Sequence, residues 1–100
     1  MTTAIDHRKA AEERLHALVT SVEAGPRTDA VASFLDECAS LAIAIRAFHM
    51  EAIRFRMFNV DRMINKGAVS VTDDGRAAFA DVRRHLEAAG FHTRSHQAPG

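Results

Sequence analysis

Six histidines and one cysteine are the side chains of this sequence with the widest chemical scope. Glu13-Arg14-Leu15-His16 sets a carboxylate and an imidazole three residues apart, the spacing used by di-iron helical bundles. Such ligands must point inward. Glu13 lies two residues from both Ala11 and Leu15, about 200° around a helix from the apolar stripe they mark. The pair therefore faces water, and a solvated pair is expected. His92 and His96, four apart, have a metal-binding spacing on one helical face but no evident third ligand. Asp81 and His85 share that spacing and are expected to form an exposed pair worth a few tenths of a kcal/mol. His7 and His16 are expected at the surface. His49 borders an apolar seam beside Ile45 and Ala52. Opposite Glu51, or Asp36 of a second copy, it would make association pH-dependent.

Cys38 is the sole cysteine, which excludes an intrachain disulfide and a multi-cysteine metal site. Its place in an apolar row makes it a small buried hydrophobe rather than a reactive thiol. Ser21, Ser33, Ser40, Ser70 and Ser95 lack a strained-turn context such as G-x-S-x-G. Neither phosphate-loop pattern, G-x-x-x-x-G-K or G-x-G-x-x-G, occurs. No catalytic, cofactor-binding or metal-ligating residue is assigned, and the chain is expected not to be an enzyme and to need no cofactor.

The elements that would position any site are helical. Arg27 to Lys66 is forty residues without glycine or proline, bracketed by Gly25-Pro26 and Gly67. A first helix is expected from about Thr3 to Ala24, with Ala11, Leu15, Leu18 and Val22 as its stripe. A second starts near the N-cap Thr28, with Asp29 in its first turn. A third starts near Thr72 and runs to Gly90, with Ala78, Phe79, Val82, Leu86 and Ala89 inward. Ala68 to Val71 suits a short extended piece.

The central segment carries two seams. Phe34, Cys38, Leu41, Ile45, Phe48, Ala52 and Phe55 recur in a four-three rhythm, which is heptad spacing. Met50, Ile53, Met57, Val60 and Ile64 form the second, with Ile43 one heptad before. On an unbroken helix the seams face opposite ways. Such a helix would be about 58 Å long, against a diameter of about 34 Å for a compact domain of this size. Either it extends beyond a monomer and needs a partner, or it breaks, with Phe58-Asn59-Val60-Asp61 the favoured point. The expected fold is all-α, with three helices and a long central one, paired as a helical-bundle homodimer. Residues 1–90 form one domain and 91–100 a flexible tail. The expected interface comprises Phe34, Cys38, Leu41, Ile45, Phe48, Met50, Ile53, Phe55, Met57, Val60 and Ile64. Arg46, Arg54 and Arg62 are candidates for binding a protein partner.

Thirteen basic and thirteen acidic side chains cancel. No segment has the positive excess of a general polyanion binder, so nucleic acid is not the favoured partner. The N-terminus, MTTAIDHRKAAEERL, lacks the apolar run of a signal peptide. The apolar window Leu41 to Ile45 is too short to span a bilayer. A cytoplasmic protein without a membrane partner is expected.

One local phrase points to a different function. Val60-Asp61-Arg62-Met63-Ile64-Asn65-Lys66-Gly67-Ala68-Val69, followed by Val71-Thr72-Asp73-Asp74-Gly75-Arg76-Ala77-Ala78-Phe79, resembles MarR-type winged-helix regulators. In that family a recognition helix ends in a similar phrase and a second phrase opens the helix after the wing. The basic wing between them is missing here. The resemblance implies a small DNA-binding regulator, with Arg54, Arg56, Arg62 and Lys66 on phosphates and Asn59 or Arg62 near bases. A turn at Phe58-Asn59 and a β-ribbon at 68–72 would accompany it. The first reading is a non-enzymatic, dimerising interaction or regulatory module.

Overall fold

Helices start in this chain where a side chain can accept from their first free amides. Asp6 accepts from the Lys9 N–H at 3.1 Å, Thr28 from Val31 at 3.1 Å and Thr72 from Gly75 at 3.0 Å. A fourth start uses an imidazole: Nδ1 of His49 accepts from the Ala52 N–H at 3.2 Å. The resulting elements are α1 (His7–Glu23), α2 (Asp29–Ala47), α3 (Met50–Asn65) and α4 (Asp73–Ala88). They come from a computed structural model that describes residues 6–91, so His92, His96 and the rest of the expected tail lie outside the described residues. Phe91 is buried at 1% exposure and belongs to the core.

The architecture is all-α, with four helices among the described residues instead of three. The expected central helix ends at Ala47 and restarts at Met50. Phe48 takes the left-handed conformation, φ 49° and ψ 45°, and is the one non-glycine residue with positive φ among those described. Its N–H donates to the Ile45 carbonyl at 2.9 Å, and the His49 N–H reaches back to Ala44 at 3.0 Å. These two bonds form the Schellman end of a helix. The same pair closes α3, from Gly67 to Ile64 and from Ala68 to Met63, and α4, from Gly90 to Glu87 and from Phe91 to Leu86. Gly67 and Gly90 both have positive φ. The expected unbroken helix is interrupted at Phe48-His49, while the backbone is helical through Phe58 and Asn59, the place considered for a break. Ala68 to Val71 is not a strand, although Val69 is buried.

Energetics favour the bend. A left-handed non-glycine residue costs about 1–2 kcal/mol. Folding α3 back along α2 buries Ile53, Met57, Val60 and Ile64 to between 0% and 4% exposure. Each such side chain contributes about 1.5–3 kcal/mol when removed from water. Four burials outweigh one strained residue.

The turn also changes the helical phase. Before it, the first seam is inward, with Phe34, Cys38, Leu41 and Ile45 buried; after it, the second seam is inward. Two seams that oppose one another on a straight helix thus meet in one core.

α1 packs along α4 and against α2, and α3 packs along α2. The first pair is antiparallel, since His7 meets His85 and Arg14 meets Asp81. Gly75 allows their close approach. A Cβ there would come within 2.8 Å of both Ser21 Oγ and Val71 Cγ1. The slab that results measures 42 × 40 × 23 Å, so each helix keeps an outward face.

Candidate docking face

The inward row of α3, Ile53, Met57, Val60 and Ile64, runs at spacings of four, three and four. Two residues earlier in phase lies a second row with the same spacings: Glu51, Phe55, Phe58 and Arg62. A two-residue offset places this row on the opposite side of the helix. Phe55 is 57% exposed and Phe58 62% exposed, and they are neighbours one turn apart. The Arg56 guanidinium lies 5.1 Å from the Phe55 ring centre, and that of Arg62 5.7 Å from Phe58. Exposed contacts of this kind are worth about 0.5–1 kcal/mol. A groove of about 470 Å3 runs beside the two rings, with Met57 and Phe91 in its wall and Glu51, Arg54, Asp61 and Arg83 around it. An apolar centre rimmed by charges of both signs suits association.

Most of the residues expected at an interface lie elsewhere. Phe34, Cys38, Leu41, Ile45, Ile53, Met57, Val60 and Ile64 are covered by this chain's own helices, and Phe48 and Met50 are half-buried against the same core. Phe55 alone of that set is exposed. The cause is the turn at Phe48, which turns the α2 part of the first seam and the α3 part of the second toward the same interior. Phe58 belongs to neither seam and was not anticipated, although its spacing from Phe55 could have drawn attention to it.

The three candidate arginines separate. Arg46 donates from Nε to Glu12 at 3.1 Å and braces α2 against α1. Arg54 pairs with Glu51 at 3.5 Å and lies 5.8 Å from the Phe91 ring centre. Arg62 stays beside Phe58. Arg56, one of the phosphate-contact candidates, instead meets Glu37 at 3.1 Å, and Asn59 donates to the same carboxylate at 3.0 Å. These bonds clasp α3 to α2.

No known family, curated protein or solved structure matches this chain.

Several other titratable groups have structural partners. Nδ1 of His7 and Nδ1 of His85 are 2.9 Å apart, with ring centres 5.2 Å apart, so the two nitrogens face one another. One donates and the other accepts. The expected Asp81–His85 pair is not formed, because Asp81 is held by Arg14 and Arg84. Partial desolvation raises the Asp81 carboxyl, but the charges and hydrogen bonds of Arg84 and Arg14 bring it below its ordinary value of 3.8. Burial, aided by the Glu37 charge, pushes the Cys38 thiol up to about 12, which keeps it protonated and unreactive. Glu13 and His16 are both exposed, as expected of a solvated pair. His49 is exposed and caps α3. Among the described residues no three His, Cys, Asp or Glu side chains converge as a metal site, and no helix is long and apolar enough to cross a membrane.

Proposed function

We propose that this protein is a non-enzymatic helical interaction module that associates through the outer row of α3, with a second copy as its partner. The observation that carries this reading is the order Glu51, Phe55, Phe58, Arg62, which has one acid and one base at equal distances from a central aromatic pair. A two-fold axis through such a row sets the phenyl pairs against each other and places Glu51 opposite Arg62 of the second copy. The patch is therefore complementary to itself in both shape class and charge. The helical backbone through Phe58-Asn59, and the absence of a strand at 68–72 among the described residues, support this reading over a winged-helix regulator.

Light scattering across a dilution series tests it. Replacing Phe55 and Phe58 together with Asp is expected to weaken association on the order of 100-fold, from the apolar area returned to water. Glu51→Arg and Arg62→Glu should each weaken pairing, and the two together should restore it. A wild-type chain that stays monomeric at high concentration would overturn the proposal.

A further inference from the structure

We propose that Phe48-His49 is a hinge through which two copies of this chain exchange halves, with α2 and α3 joining into one continuous helix. The proposal deepens the self-association reading but does not depend on the outer row of α3. Three observations support it. First, the closed hinge is strained: a β-carbon-bearing aromatic residue occupies the left-handed position that Gly67 and Gly90 fill at the other two ends of this kind. Second, nothing in the sequence opposes the straight form, because no glycine or proline occurs between Arg27 and Lys66. The helix so formed would run from Asp29 to Asn65, about 55 Å.

Third, the interface of the exchanged dimer already exists within the monomer. α1 and α2 remain a pair, held in part by Arg46 and Glu12. α3 and α4 of one chain then pack on α2 and α1 of the other, re-forming the Glu37–Arg56 and Arg14–Asp81 ion pairs between chains. The two seams of the straight helix are covered, one by each half of the second copy. Short, strained hinges are where such exchange occurs.

Cross-chain linking reads the exchange directly. In a Cys38→Ala background, chains carrying Arg14→Cys are mixed at high concentration with chains carrying Asp81→Cys and treated with a short bis-maleimide. A covalent two-chain product is expected, because exchange alone sets α1 of one copy beside α4 of the other. Phe48→Ala, which keeps the left-handed strain and favours helix, should give about tenfold more product than Phe48→Gly. Phe48→Asn also tolerates the left-handed backbone and repeats the glycine result if loss of the ring harms folding. The product should persist when Phe55 and Phe58 are both Asp, a change that removes outer-row docking. Equal yields from the alanine and glycine variants would overturn the hinge, as would a light-scattering dimer that gives no cross-chain product. The second result would leave outer-row docking standing.

Discussion

The ends of α2 and α3 share a hydrogen-bond pattern and differ in the residue that makes it. Gly67 enters the left-handed region with open space around its missing Cβ, so its cost is small. Phe48 makes the same turn with a Cβ and a half-buried ring. The comparison shows that a helix end can be imposed from outside. At Gly67 the local sequence prefers to stop. At Phe48 it prefers to continue, and the apolar faces on either side force the reversal.

The largest way to break this comparison is to weaken what forces the bend. Ile53→Ala removes a fully buried side chain just beyond the turn and is expected to cost about 3 kcal/mol in urea unfolding. A loss below about 1 kcal/mol would show that α3 is not held by its inward row. Next in size are the glycine ends. Gly67→Ala meets no neighbour, so its expected cost of about 1 kcal/mol is purely conformational. At the other end of the comparison, Phe48→Gly gains backbone freedom while losing the ring, and its net loss should stay clearly below that of Gly67→Ala. Equal losses at both positions would erase the distinction.

The smallest effect is expected far from the turn, at Asp81. Its carboxyl titrates below 3.8 in the folded chain, so the unfolded chain binds its proton first as pH falls. The resulting stabilisation is complete above the ordinary value and disappears as pH drops through the folded one. Melting temperatures measured from pH 5 down to 2 should fall less steeply in Asp81→Asn than in wild type. Identical slopes would show that the two arginines do not hold the carboxylate.

The helices themselves were readable because their signals are local. Thr28 and Thr72 cap the helices they were expected to cap, and the stripes of α1 and α4 are the buried ones. The role of Gly75 had no such signal: it lies inside α4, where α1 comes too close for a side chain. The turn at Phe48 had no local signal at all. Phenylalanine is neither a breaker nor a residue that prefers positive φ, and His49 rarely stands where Ser, Thr, Asp or Asn would cap. The signal that did exist was the pair of opposed seams, which a partner helix or a reversal of the chain could equally satisfy. The candidate site was legible in part, through Phe55, Arg54 and Arg62. Phe58 became visible only once the phase of α3 was known.

The paired imidazoles of His7 and His85 bring the opening of α1 and the last turn of α4 to one corner of the slab. A backbone severed between Phe48 and His49, with a flexible peptide joining the original ends, would list its helices as α3, α4, α1, α2. Every buried neighbour would be kept and the left-handed residue released. Such a circular permutant should fold at least as well as its parent, which makes the middle of this polypeptide a natural place to cut it.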